Sequence, residues 1–377
     1  MPFEYYIKNG NKSLRCGFTT GTCAAIGAKG AVTALLSGTL PTLVSVVTPK
    51  GIEVETQIVN GNLENGTAVC SVIKDGGDDI DATNGLEICV SAKKTENGIS
   101  IDGGKGIGRV TKKGLDQPVG NAAINSTPRK MIKNAVEEVC REYGYKGGIE
   151  IVVSVPEGEK TALKTFNPNI GIEGGISIIG TSGIVEPQSL KALADTVKLE
   201  LNVVHESGKE NVVITPGNYG ETFLKEHMDL KNISYVKCSN FVGEALEEAV
   251  RLGFKNILLV GHMGKFVKLA GGLYNTHSMY GDCRMEIFGV HAAMSGYDSD
   301  TIRDIMNCAT ADAAIEILER DKEKFKKTIN SIIDKIQFYI DKKTMEENLA
   351  GVVVFTNQHG LMGISEKGKE AIKRLGG

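Results

Sequence analysis

The sequence predicts an α+β region, built from an antiparallel sheet with helices, followed by a Rossmann-like α/β region with a parallel sheet. Three observations predict this order. A chain of 377 residues is longer than one average domain. Up to about residue 147, strand patterns alternate apolar and polar residues, which is typical of antiparallel sheets with one solvated face. Beyond it, short apolar strands alternate with helices, as in parallel sheets covered on both faces. We therefore expect domains at 1–147 and 148–377, the second with a helical C-terminal tail.

The first region is expected to contain two helices and several short strands. Thr19 and Thr20 can cap a helix from about Thr22 to Leu36, which Gly38 ends. A second helix opens at Thr127, with proline in its first turn, and stops at residue 144. The strands are predicted at 43–48, 52–59, 67–73, 86–92 and 106–111.

The second region repeats strand and helix. Its strands are predicted at 149–155, 176–179, 212–214, 233–236 and 257–260, and its helices at 187–201, 220–228, 242–252 and 265–270. Helices at 282–294, 299–320 and 322–341, with one last strand at 352–355, complete the chain.

Composition excludes several classes of function. Lys and Arg number 43 against 46 Asp and Glu, a net charge of −3, whereas nucleic-acid binding needs a basic excess. The apolar runs are too short for a membrane span, and the N-terminus lacks the apolar segment of a signal peptide. Eight dispersed cysteines without a CxxC pair indicate reduced thiols and no zinc site. We expect a cytoplasmic protein that binds no nucleic acid, membrane or structural metal.

Small polar residues follow the predicted parallel strands, at the edge where such sheets bind ligands. For a single loop, glycines that merely turn the chain are the simpler interpretation, but four consecutive loops of this kind favour a ligand site. The residues expected to bind a cofactor there are Gly180, Thr181, Ser182, Gly183, Pro216, Gly217, Asn218, Ser239, Asn240 and Gly261.

Three other clusters are candidates for chemistry. The segment 76–81, with three carboxylates beside two glycines, fits a cation or sulfonium site or a solvated turn. The glycine-rich segment 103–109 matches neither the Walker nor the dinucleotide pattern, but it can present Lys105 and Arg109 to anions. His262 and His277 stand near loops, where each is either an ordinary polar residue or a catalyst.

Taken together, these blocks resemble the CbiD family. The resemblance is carried, in order, by Leu14–Ala25 (LRCGFTTGTCAA), 76–79 (GGDD), 123–125 with Pro128 and Arg129, 154–159, 165–168, 174–185, 261–265 (GHMGK) and 275–278 (NTHS). It spans residues 14 to 285, and the helical end of the chain adds little to it.

That resemblance implies an S-adenosylmethionine-dependent methyltransferase that acts on C-1 of cobalt-precorrin-5B in anaerobic cobalamin biosynthesis. It carries no settled catalytic residues. We expect His262, His277 or Asp78 to move any proton. Because the tetrapyrrole substrate bears many carboxylates, we expect it to be bound by Arg15, Thr19, Thr20, Lys105, Arg109, Arg129 and Lys265. Transient contact with other cobalamin-pathway enzymes is also expected. Two alternatives stay open: a non-catalytic corrinoid carrier, and an enzyme that uses the glycine loops for nucleotide phosphates.

Overall fold

The chain is a mixed α/β protein that divides into two compact units, residues 1–190 and 191–377. This computed structural model describes residues 3–9, 12–187, 189–227, 233–345 and 348–375. No helix in these ranges is long and apolar enough to cross a membrane. All eight cysteines are free thiols.

The first unit contains a five-stranded sheet, ordered β6-β7-β8-β11-β9, and several shorter strand pairs. Its strands are β1 (Tyr6–Asn9), β2 (Lys12–Arg15), β3 (Gly17–Phe18), β4 (Leu43–Val47), β5 (Glu53–Gln57), β6 (Asn60–Glu64), β7 (Thr67–Ile73), β8 (Glu87–Thr95), β9 (Ile99–Gly103), β10 (Arg109–Val110), β11 (Gly148–Ser154), β12 (Ile172–Glu173) and β13 (Ile184–Val185). Its helices are α1 (Thr20–Ser37), α2 (Ser126–Glu142), α3 (Gly158–Ala162) and α4 (Asn167–Ile170).

Helix α1 lies inside the first unit, in agreement with its small residues. Thr19 is the N-cap and accepts the Thr22 N–H, while Gly38 ends the helix in the left-handed conformation at φ 79°. A Cβ at Gly27 would lie 2.7 Å from a methyl carbon of Val90, so helix and sheet touch closely. Because Ala24, Ala28 and their neighbours are fully buried, this helix packs on the sheet.

The division between the units falls at residue 190, not at 147. Strand β11 was expected to open the parallel sheet, but it pairs antiparallel with β8 and parallel with β9. An apolar strand pattern does not specify its partners, and here they lie in the first sheet. Residues 176–179 form only isolated bridges, from Ile176 to Ile107 and from Ile178 to Ile124, so they also belong to the first unit.

The second unit has a five-stranded sheet ordered β15-β14-β16-β17-β18, in which all neighbours are parallel except β17 and β18. Its strands are β14 (Asn211–Thr215), β15 (Tyr235–Lys237), β16 (Asn256–His262), β17 (Leu349–Thr356) and β18 (Gly360–Ile364). Its helices are α5 (Leu190–Glu206), α6 (Asn218–His227), α7 (Val242–Leu252), α8 (Met263–Phe266), α9 (Arg284–Met294), α10 (Ser299–Met306), α11 (Ala311–Leu318), α12 (Lys322–Thr344) and α13 (Glu366–Leu375), with 3-10 turns at Val267–Gly271 and Ser278–Tyr280.

The central strands β14, β16 and β17 are buried on both faces, as their apolar sequences require. In β16, Ile257 and Leu259 join one apolar core, whereas Leu258 and Val260 join the other. The predicted helical tail is instead a connection, because α9 to α12 lie between β16 and β17, which pair directly. The predicted helix at 299–320 is two helices, α10 and α11.

Candidate functional site

The carboxyl ends of β14, β15, β16 and β17 lie along one edge of the second sheet, as parallel pairing requires. The segments that follow these strands begin at Pro216, Cys238, Met263 and Asn357. Pro216–Asn218, Ser239, Asn240, Gly261 and His262 therefore lie at or just beyond the carboxyl ends of these strands.

After β15, the turn is held in an uncommon conformation. Ser239 has φ 53°, in the left-handed region that residues other than glycine rarely adopt. The turn directs the side chain of Asn240 toward Lys265, whose Nζ lies 3.0 Å from Asn240 Oδ1. The same oxygen accepts the hydroxyl of Thr276 at 3.1 Å. Burial lowers the pKa of Lys265 below its ordinary value, and the charge of Lys268 acts in the same direction.

His262 ends β16 and caps the short helix α8. Its Nδ1 accepts the Gly264 N–H at 3.1 Å, so the neutral ring carries its proton on Nε2. Burial lowers the pKa of His262, although Asp312 opposes this shift, and the ring stands edge-on to Phe355. A half-buried neutral imidazole of this tautomer is a hydrogen-bond donor at Nε2, not a base.

His277 occupies a similar local position but is exposed. Its Nδ1 accepts the Met279 N–H at 3.2 Å and caps the 3-10 turn that follows. Asp282 and Arg284 lie a few residues further on and form a two-pronged ion pair with each other.

The loop after β14 is open at its glycine. Gly217 does not have positive φ, and a Cβ built there would meet no atom within 4 Å. Nothing in the surrounding backbone demands glycine at this position. The free space instead leaves room for a ligand against the backbone, beside the exposed side chain of Asn218.

The segment Gly180, Thr181, Ser182 and Gly183 was expected on this same edge, and the structure places it elsewhere. It lies in the first unit, against the start of α1. Gly180 has φ 135°, and a Cβ there would lie 2.2 Å from Thr19 Oγ1. The Thr19 N–H donates to Gly183 O, and the Gly21 N–H donates to Ile179 O. These four residues therefore belong to the first unit and do not follow a strand of the second sheet.

Thr19 and Thr20 are buried and engaged by the chain itself. Thr20 Oγ1 accepts the Ile179 N–H at 2.9 Å. Thr19 Oγ1 accepts the Thr22 N–H at 3.2 Å, and Thr22 Oγ1 donates to Gly183 O at 2.7 Å. The threonine block thus fastens the segment 177–183 to the helix.

The acidic cluster is also a structural network. Arg15 forms a two-pronged ion pair with Asp75 at 2.5 and 2.8 Å, and this pairing lowers the pKa of Asp75. Asp78 accepts the backbone N–H of Arg15 at 2.7 Å. Buried Lys74 pairs with Asp81 at 2.5 Å and lowers the pKa of that carboxyl. In the described ranges, no cluster of three His, Cys, Asp or Glu side chains could hold a metal ion.

The remaining predicted cations differ in availability. Arg109 is paired with Asp102 at 2.7 and 3.1 Å and also donates to Gly103 O. Arg129 donates to the carbonyls of Ile124, Ile101 and Ala122, and burial lowers its pKa. Lys105 is exposed, and its ammonium has no partner in the part of the chain that the structure describes.

The first unit also contains a cleft of about 770 Å³ that the sequence analysis missed, apart from Thr181. It runs between α2 and the β4–β5 hairpin, with the Lys29–Glu138 ion pair of 2.8 Å inside it. The signal in the sequence is a helical spacing of polar residues on α2. Its lining residues are Lys29, Ser45, Val46, Val47, Thr48, Pro49, Glu53, Thr127, Lys130, Met131, Asn134, Ala135, Glu138 and Thr181.

Comparison with known proteins agrees with the sequence blocks. The family profile described as CbiD matches residues 7–187, and that of the CbiD C-terminal domain matches residues 275–366. A cobalt-precorrin-5B C(1)-methyltransferase of Ruminiclostridium cellulolyticum is 47% identical over 355 residues, which cover 94% of this chain and 92% of that protein. The protein of the same name from Citrobacter koseri is 43% identical over 84% of this chain and 83% of its own.

A crystal structure of a cobalamin biosynthesis protein (CbiD) from Archaeoglobus fulgidus is 30% identical, with a TM-score of 0.39 over 73% of this chain and 86% of that chain. Because the curated relatives match along nearly their whole length, the chain belongs to the CbiD family.

Proposed function

We propose that this chain is an enzyme that methylates C-1 of cobalt-precorrin-5B, giving cobalt-precorrin-6A in anaerobic cobalamin biosynthesis. The observation that carries the proposal is the 47% identity to a relative of that name over 94% of this chain. Free thiols at all eight cysteines fit the reducing cytoplasm.

The proposed methyl donor is S-adenosylmethionine, bound at the carboxyl edge of the second sheet. The alternation of parallel strands and helices supports describing this unit as Rossmann-like. The proposed contacts are Pro216, Gly217, Asn218, Ser239, Asn240 and Gly261. Open space at Gly217 and hydrogen-bonding groups at Asn218 and Asn240 fit a nucleoside with polar substituents.

When bound, the donor supplies an electrophilic methyl group on a sulfonium. The chain's task is then to hold the accepting ring carbon in line with that methyl group, and such positioning can contribute ~7–11 kcal/mol at best. The conjugated macrocycle would take up the positive charge that accompanies the methyl group, so the residues of this edge would only have to position the two reactants. His262, with its proton on Nε2, can orient a ring substituent by donating a hydrogen bond.

Among the cations predicted to bind substrate, Lys105 and Lys265 retain unused donors. The guanidinium groups of Arg15, Arg109 and Arg129 already bind carboxylates or carbonyls of the chain itself. We therefore propose direct carboxylate contacts for the two lysines and a positioning role for the three arginines. Thr19 and Thr20 support the fold of the first unit, His277 caps a 3-10 turn, and Asp78 accepts the backbone N–H of Arg15.

Turnover by the full chain tests this function. Incubation with S-adenosylmethionine and cobalt-precorrin-5B should add one methyl group to the pigment, seen by mass spectrometry, and release S-adenosylhomocysteine in equal amount. Pigment binding without methyl transfer would instead identify a carrier. ATP and magnesium binding, with no transfer, would identify a nucleotide-dependent enzyme.

A further inference from the structure

Two lysines in the second unit are buried, one fully and one by about half, without a carboxylate partner among the described residues. Lys268 is only 4% exposed, and its ammonium donates to the carbonyls of Thr276 at 3.3 Å and Gly281 at 2.9 Å. Lys265 is half-buried and donates to Asn240. Neither lysine forms an ion pair within the described ranges. Burying a charge without an opposite charge is costly, so the site is short of an anion.

The local hydrogen bonds indicate which kind of ligand would bind at this site. Asn240 Oδ1 accepts from both Lys265 and Thr276, which fixes the amide orientation, because a flipped amide would point two donors at an ammonium. Two N–H groups on Asn240 Nδ2 and two on Lys265 Nζ then have no acceptor in the described part of the chain. The unused groups of Asn240 and Lys265 are donors, so they match a ligand that accepts hydrogen bonds.

Nearby charged residues do not neutralise the positive charge of Lys265 and Lys268. Asp282, which feels the charge of Lys268, is paired with Arg284. Cys238 is neutral, since burial raises its pKa to about 12. Glu244, in the first turn of α7, does not form an ion pair with either lysine.

We propose that Asn240 and Lys265, with the charge of Lys268 nearby, form a carboxylate-binding site at the carboxyl edge of the second sheet. Both the amino-acid end of the methyl donor and the side chains of the macrocycle carry carboxylates. The choice between these two sources rests on the proposed function, but the anion site itself does not.

The sharpest variant is Asn240→Asp. It retains the oxygen that accepts from Lys265 and Thr276, and it replaces the amide donors with a negative charge. The fold should therefore persist while an incoming carboxylate is repelled. Lys265→Met removes the ammonium and provides a second variant. Lys255→Met, which removes an exposed lysine paired with Glu210, is the control for the same change in net charge.

Anion binding is measured first with inorganic sulfate, at low millimolar concentration and constant ionic strength. Sulfate should raise the melting temperature of the wild-type and Lys255→Met proteins saturably, and this effect should vanish in Asn240→Asp and Lys265→Met. Equal responses in all four proteins would overturn the site. If sulfate binds at this site but the protein transfers no methyl group, the proposed function is wrong and the anion site stands.

Calorimetry then identifies the source of the carboxylate. If the donor supplies it, Asn240→Asp should bind S-adenosylhomocysteine roughly tenfold or more weakly, while 5′-methylthioadenosine, which lacks the amino acid, binds unchanged. If the macrocycle supplies it, only pigment binding should weaken. Wild-type affinity for all three ligands would overturn the proposal.

Discussion

At the scale of single residues, His262 has two separable roles. Its Nδ1 caps α8, and its Nε2–H is the proposed donor to substrate. Asparagine can place an oxygen near the position of Nδ1, so His262→Asn should retain the cap and lose the donor. We expect its kcat to fall ~10²-fold with little change in melting temperature. His262→Gln should show the reverse balance, with a lost cap costing ~0.5–2 kcal/mol. Wild-type kcat in His262→Asn would leave His262 as a cap only.

The sequence identifies the residues of the motifs but not their roles. Arg15, Thr20 and Arg129 fit a polyanionic substrate by composition, yet the structure commits them to the chain itself. The reason is that their partners are distant in sequence: Thr20 bonds with Ile179, which is 159 positions away. The pattern predicts the Thr19 cap and the Gly38 stop correctly because both depend on neighbours within one turn.

At the scale of elements, the two glycine loops should respond differently to substitution. Gly180 has positive φ and touches Thr19, so Gly180→Ala should lower the free energy of unfolding by ~1–3 kcal/mol. Gly217→Val enters open space, so it should change that free energy by roughly 0.5 kcal/mol or less. Urea unfolding followed by circular dichroism measures both. If both variants lost a similar free energy of unfolding, the loop at Gly180 would not be structural in contrast to an open loop at Gly217.

At the scale of the whole molecule, the sequence predicts the α+β and α/β order but places the boundary about forty residues early. Strand β11 has the apolar pattern of a parallel strand, and only its partners β8 and β9 reveal that it belongs to the first sheet. The sequence predicts α9 to α12 as a C-terminal tail for the same reason. Only the pairing of β17 with β16 reveals that these helices connect two strands of one sheet. Local patterns thus predict where elements lie, whereas pairing across long stretches of chain decides how they assemble.

The central claim is that the donor lies on the carboxyl edge of the second sheet. Calorimetric titration of S-adenosylhomocysteine into folded Gly217→Val tests it most directly, with folded Gly180→Ala as the glycine control. A donor bound on this edge should bind at least about tenfold more weakly to Gly217→Val and with wild-type affinity to Gly180→Ala. Wild-type affinity in Gly217→Val, with weakened binding only in Gly180→Ala, would contradict it and place the donor in the first unit.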